Sequence, residues 1–312
     1  MIKDKIYIYT FYRFKNFTGI KAIKTSLDKY LKNKLILGTV LLANEGMNGT
    51  ISGTEKDLNE FISLIKRILK IRKLSIKISQ NKFLPFYRLK IRLKKEIVTI
   101  GDMTIKPEKI TGKHIDPKKW DTLIDNKKYL IIDTRNDYEV SIGSFKNAIN
   151  PKTKSFRDFP KFIEELDIKK NQPIAMFCTG GIRCEKASSY LLKNGYKDIS
   201  QLDGGILNYL EVKKNEKTIS WKGECFVFDN RVAVDRRLNK GTYEQCYGCR
   251  HPITMQDMEL ESYIKGATCK YCIDLKSKTK IQSSSTRQGQ IDIAEKNNTK
   301  HSFKKIYTIR QD

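Results

Sequence analysis

Residues 173–192 read PIAMFCTGGIRCEKASSYLL, and this stretch constrains the fold more tightly than any other. Ile174, Ala175, Met176 and Phe177 form a continuous apolar run, the pattern of a strand buried on both faces. Cys178 stands where that strand ends. Thr179, Gly180, Gly181 and Ile182 follow, and the glycine pair lets the main chain curl until successive N–H groups converge on the sulfur. Arg183 closes the loop. Residues 185–192 then have the period of a helix whose positive N-terminal end points at the same spot. A thiol in such a strand, loop and helix cradle is expected to have a depressed pKa and to be largely thiolate near neutral pH.

A lone cysteine at a strand end is commonly no more than a buried residue. The Cys-x4-Arg arrangement around an interior glycine pair points instead to a reactive thiol. The segment resembles the active-site loop of the rhodanese family, in which such a cysteine carries a persulfide. Related phosphatases have one residue more between Cys and Arg, to admit phosphate, so the resemblance implies sulfur chemistry at Cys178 within a loop of Thr179, Gly180, Gly181, Ile182 and Arg183. Cys184 either resolves an oxidised Cys178 or simply packs, and packing is the favoured reading.

The surroundings repeat the same logic. A strand at residues 129–133 ends in Asp133-Thr134-Arg135, followed by Tyr138-Glu139 and Gly143. Strand and helix patterns alternate through residues 148–150, 162–166, 174–177, 185–194 and 199–202, which predicts a doubly wound parallel α/β domain over residues 123–216. Ligands in such sheets sit at the carboxyl ends of strands, where both Asp133 and Cys178 fall. The order again resembles the rhodanese domain, whose Asp-x-Arg pair supports the loop, so Asp133 and Arg135 are read as supporting ion-pair residues rather than catalysts. Asp203-Gly204-Gly205 closes the module, with the glycines read as backbone packing.

At 312 residues the chain exceeds what one core usually supports. In its first part, strands at residues 6–12, 35–43, 49–54 and 74–78 and helices at 19–34 and 55–70 give the βαββαβ order of a ferredoxin-like domain, set at residues 1–95. Residues 44–50, NEGMNGT, read as a polar hairpin turn. The net charge of +26 is unevenly spread: residues 1–95 hold 22 Lys and Arg against 6 Asp and Glu, while residues 113–212 hold 17 against 14. A uniform lysine-rich bias would not produce that contrast. The first domain is therefore read as RNA-binding rather than as a merely solvated basic surface. Basic and aromatic residues mix in Lys82, Phe83, Phe86, Tyr87 and Arg88, and Lys90, Arg92, Lys94 and Lys95 follow as the chosen phosphate contacts.

Residues 96–122, with Pro107 and Pro117, read as a linker. Beyond the central module, residues 217–272 form a Cys-rich region that opens with Trp221 and a strand pattern in GECFVFDNRV. Cys246-x2-Cys249 and Cys269-x2-Cys272 are thiol pairs separated by nineteen residues, which fits a structural tetrahedral zinc site, with Gly248 and Gly266 relaxing the backbone. A metal-free remnant and an iron–sulfur site remain alternatives. Residues 273–312, polar and carrying Ser283-Ser284-Ser285, are expected to be a basic disordered tail. No apolar run approaches the ~20 residues of a membrane span, and the first residues lack a signal peptide's apolar core. The expected compartment is the cytoplasm, where seven cysteines are reactive or metal-binding thiols rather than disulfides.

In order, ANEGMNGTISG, DTRNDYE, FCTGGIRCEKA, LDGGI, GECFVFDNRV and the paired cysteines resemble the rhodanese-domain tRNA uridine-34 hydroxylases, to about residue 272. That resemblance implies formation of 5-hydroxyuridine at the wobble position, molecular oxygen as co-substrate, the tRNA anticodon region as partner, and a persulfide on Cys178. The sequence holds no flavin, nicotinamide or haem motif and does not identify an electron or sulfur donor. Two other classes stay open. A plain sulfurtransferase would need only the central module, and a non-enzymatic tRNA-binding protein would not need an intact Cys178-x4-Arg183.

Overall fold

The computed structural model describes residues 5–32 and 34–297. The first unit runs β1 (Ile6–Phe14), α1 (Ile20–Leu31), β2 (Leu37–Ala43), β3 (Gly46–Gly53), α2 (Glu55–Ile68), β4 (Ser75–Asn81) and β5 (Leu89–Leu93). Its sheet order, β4-β1-β3-β2, is the antiparallel ferredoxin-like arrangement, extended by β5 lying parallel to β2. Helix α2 shows why the sequence folds this way. Thr54 caps it by accepting from the Asp57 N–H, Glu55 and Asp57 occupy the first turn, Lys66 and Arg67 the last, and Leu58, Phe61, Ile62 and Ile65 are buried. Both helices cover one face of the sheet in a single core. On the other face Phe14, Ala43 and Ile97 meet Ile182 of the second unit.

One expectation changes here, and one strand was not anticipated. The turn read at residues 44–50 is only Asn44-Glu45, because Gly46 already pairs with Ala43 and β3 runs on from it. The stretch read as basic nucleic-acid contacts contains the strand β5, in which Ile91 enters the core while Lys90 and Arg92 share the opposite face.

The second unit comprises β6 (Lys113–Ile115), α3 (Pro117–Asp125), β7 (Leu130–Asp133), α4 (Asp137–Val140), β8 (Gly143–Phe145), α5 (Phe159–Glu165), β9 (Ile174–Phe177), α6 (Ile182–Lys193), β10 (Ile199–Leu202) and α7 (Gly205–Lys213). Four of these strands form a parallel sheet in the order β6-β10-β9-β7. Strand β9 is buried along its whole length and feeds two cores. Ile174 and Met176 join α5 and α6 on one face, and Ala175 and Phe177 join α3 and α7 on the other. The stretch read as a linker, residues 96–122, supplies β6 and α3 to this unit. Three residues are too short for β6 to show a strand period, yet Trp120 of α3 is fully buried.

The third region is small and irregular: β11 (Trp221–Gly223) pairs with β8, β12 (Cys225–Phe226) with β13 (Ala233–Val234), and β14 (Glu244–Gln245) with β15 (Pro252–Ile253). Helix α8 (Lys278–Lys296) corrects the expectation of a disordered tail from residue 273. It is polar on every side, so periodicity gave no signal. The Ser277 hydroxyl caps it, Lys265 pairs with Asp292 at 2.8 Å, and Ser284 and Ala294 are buried. The rest of that expected tail, residues 298–312, lies outside the described residues.

Candidate active site

Cys178 lies at the end of β9, wholly buried, where the chain leaves the sheet. Helix α6 begins at Ile182, three residues before its periodic pattern, because Gly181 takes the left-handed conformation (φ 96°) that starts the turn. Arg183 and Cys184 are thereby drawn into the first turn. The Cys178 Sγ accepts from the Gly181 N–H at 3.1 Å. Burial pushes the thiol up, but the Cys184 thiol, the Arg183 charge and the backbone N–H groups of Cys184 and Arg183 outweigh it and bring Cys178 down to about 6. Cys184 goes the opposite way, pushed well up by burial and by the neighbouring Cys178, with its Sγ 3.6 Å from Thr134 Oγ1. The loop thus holds one thiolate and one thiol.

Because the thiolate is the nucleophile, alkylation of Cys178 by iodoacetamide should rise with pH through a midpoint near 6 and level off by about 7, with Cys184 unlabelled. Mass spectrometry of alkylated peptides across pH 5–9 measures it. A midpoint at the ordinary thiol range of about 8.5 would refute the cradle.

Arg183 does not reach for solvent. Its Nη1 and Nη2 donate to the two Glu139 oxygens at 2.6 and 2.8 Å, and Nη2 also donates to Thr179 Oγ1 at 3.3 Å. Asp133 and Arg135 form a second ion pair, fully buried, at 2.7 Å. Arg135 also donates to the carbonyls of Glu139 and Gly143, at 3.2 and 2.6 Å. The pair therefore fixes the backbone of the residue that holds Arg183. Gly205, with φ 67°, lies so close beneath the loop that a Cβ would stand 2.4 Å from the Cys178 carbonyl oxygen.

The first unit roofs this loop. Tyr12 of β1 donates to Glu185 Oε1 at 3.1 Å, and its hydroxyl lies 3.0 Å from where a Gly181 Cβ would be. Lys186 of α6 is fully buried and ion-pairs with Glu45 of the β2–β3 turn at 2.8 Å and with Glu96. The turn that read as a plain hairpin connection thus carries an interdomain anchor. The third region contributes too: Arg231 is paired with Asp229 at 2.6 Å and reaches Ser79 of β4 at 3.3 Å, and the Asn230 N–H donates to the Pro85 carbonyl.

A cleft of about 700 Å³, with no loop residue among the described residues of its lining, meets the loop through Phe228. Phe228, 61% exposed, stands on its wall with the Arg183 guanidinium 5.9 Å from its ring centre. Of the four cations chosen from sequence, Lys90 lines the cleft, whereas Arg92, Lys94 and Lys95 are exposed outside its lining. Arg88, Tyr138, Tyr247 and Arg250 line it as well.

The four cysteines of the third region converge. Cys246 and Cys272 have sulfurs 3.9 Å apart, Cys249 and Cys269 3.7 Å, and all four lie within 4.8 Å of one another. Metal–sulfur bonds of about 2.3 Å in a tetrahedron put sulfurs about 3.8 Å apart, so the set can hold a single metal ion. Backbone N–H groups of Gly248, His251 and Tyr271 point at the sulfurs, as the outer shell of a thiolate site requires.

Comparison with known proteins fits this geometry. Residues 6–97 match the family described as UPF0176 acylphosphatase like domain, and residues 116–211 match the rhodanese-like domain. A protein of Pelagibacter ubique (strain HTCC1062) named tRNA uridine(34) hydroxylase is 46% identical over 301 residues, 96% of this chain and 99% of its own. The chain belongs to the tRNA uridine(34) hydroxylase family. Among solved structures, a rhodanese-like domain protein from Staphylococcus aureus is 28% identical over 31% of this chain and 90% of its own, with a TM-score of 0.26. A rhodanese-like domain from Anabaena sp. is 14% identical over 36% of this chain and 80% of its own, with a TM-score of 0.30. Among the described residues no helix is long and apolar enough to cross a membrane.

Sequence reasoning missed Glu139, Tyr12, Lys186 and Phe228. Glu139 had a usable signal, standing four residues after Arg135 in a segment already singled out. The others act across domains, where spacing along the chain carries no information.

Proposed function

We propose that this protein hydroxylates uridine 34 of tRNA at C5, forming 5-hydroxyuridine, in the cytoplasm, with molecular oxygen as co-substrate and Cys178 as the cysteine that carries a persulfide. One oxygen atom enters the base and the other leaves as water, so two electrons and two protons come from a reductant outside the chain. The observation that carries this reading is the buried Lys186 anchor, which fastens the basic domain to the helix of the thiolate loop. A sulfurtransferase acting on small acceptors needs no such attachment. Nucleoside mass spectrometry of tRNA from cells lacking the gene tests it: hydroxyuridine should disappear, whereas loss of thiouridine would favour sulfur transfer and no change would favour a binding protein.

The ion held by Cys246, Cys249, Cys269 and Cys272 is proposed to be zinc, bound structurally by thiolates. Metal analysis of protein purified without chelator should find about one zinc per chain. Active protein without zinc would end that assignment.

A further inference from the structure

The cleft that Phe228 joins to Arg183 is walled by residues 86–90 at the start of β5 on one side, residues 226–230 at the base, the first cysteine knuckle opposite, and α8 with Lys265 and Gly266 closing it. Its lining holds five cations, of which Lys265 is paired with Asp292, against two carboxylates, and one of these, Asp229, is paired with Arg231. The other is Glu295 near the end of α8. The excess suits a polyanion.

Arg250 shows this most directly. It follows Cys249 at φ +75°, the left-handed region, and its N–H closes the knuckle on the Cys246 carbonyl at 2.7 Å. Glycine would adopt that conformation without strain, and arginine does not. Arg250 Nη1 donates to Gln245 Oε1 at 2.9 Å, and its guanidinium lies 5.7 Å from the Tyr247 ring centre. On the opposite wall, Lys90 has its ammonium pushed down by burial and by the charges of Arg88, Arg92 and Arg250. Arg88, Lys90 and Arg250, like charges set on facing walls of one cleft, suit an anionic ligand better than they serve the fold. Phe228 adds a large exposed aromatic face next to Arg183, and a ring in that position stacks on any base.

We propose that single-stranded RNA lies in this cleft, with Arg250 and Lys90 gripping its backbone from opposite walls and Phe228 stacking on a base next to the thiolate loop. The proposal rests on tRNA being the substrate and specifies where it sits. It also gives the Cys₄ knuckle a role: the knuckle sets the position of Arg250.

The test measures binding of a tRNA transcript and of its anticodon stem-loop to the full chain across a salt series. Arg250→Gly relieves the backbone and removes the guanidinium, so it should retain metal content and melting temperature, lose about tenfold in affinity, and lower the salt slope by about 0.7. Phe228→Ala should lose a similar factor with the slope unchanged, because stacking releases no counterion. Parent-like affinity in either variant overturns the cleft while leaving the tRNA reading intact. A parent protein that binds no tRNA overturns that reading itself.

Discussion

Replacing Lys186 with methionine is expected to destabilise the protein by about 3–5 kcal/mol in urea unfolding, as much as a large core truncation although almost no volume is lost. The Lys186 side chain is fully buried and is the shared cation of Glu45 and Glu96, whose own side chains are 5% exposed. Both carboxylates also accept backbone N–H groups. Glu45 accepts from Ile97 at 2.6 Å, and Glu96 from Ile100 at 3.1 Å and Gly101 at 3.2 Å. Those bonds suit anions, so methionine would leave two negative charges out of water with their counter-ion gone. Neutralising the whole cluster, with Lys186→Met, Glu45→Gln and Glu96→Gln together, should recover part of the loss, because the amides strand no charge, although at residue 96 only one of the two N–H groups keeps its acceptor. A single variant within about 0.5 kcal/mol of the parent would show that the anchor does not hold the domains together.

The anchor also marks the boundary of what the sequence discloses. The thiolate loop was legible because its evidence is consecutive: an apolar run, a cysteine, two glycines and an arginine occupy adjacent positions between Ile174 and Arg183. The first sheet was legible because α1 and α2 keep a helical period between strands, so the order β-α-β-β-α-β could be counted. The cysteine pairs were legible because two residues between thiols is itself a geometric statement. Lys186, by contrast, lies in a Glu-Lys pair on an otherwise ordinary helix and reads as solvent-facing. Only the fold brings Glu45 and Glu96 to it. Helix α8 was hidden for the opposite reason: its contacts through Asp292, Ser284 and Ala294 are scattered along a helix without an apolar stripe, so its composition resembles that of a disordered tail. Strand β5 was hidden by its own charges. Lys90 and Arg92 read as ligand contacts, and alternate basic residues are also how an edge strand avoids pairing with other chains, so the charges did not announce a strand.

Replacing Cys178 with serine is expected to abolish persulfide formation and to lower tRNA modification by at least about a thousandfold while leaving the fold in place. The thiolate is stabilised by the Gly181 N–H, by the N–H groups of Arg183 and Cys184, and by the Arg183 charge. A serine hydroxyl in the same cradle stays protonated at neutral pH and is a poor nucleophile towards sulfur. With thiosulfate as donor, the Cys178 thiolate attacks the outer sulfur and sulfite departs with the electron pair of the broken S–S bond. The persulfide mass can be read directly on the intact chain. Cys184→Ser provides the contrast. Burial and the neighbouring Cys178 hold Cys184 as a neutral thiol, its sulfur 3.6 Å from the Thr134 hydroxyl. A hydroxyl there can replace it as a donor to the thiolate, so that variant should still form the persulfide. If Cys178→Ser modifies tRNA at the parental rate, the thiolate loop is not the reaction centre. If Cys184→Ser loses persulfide formation with Cys178 intact, Cys184 takes part in the sulfur chemistry and does more than pack against the loop.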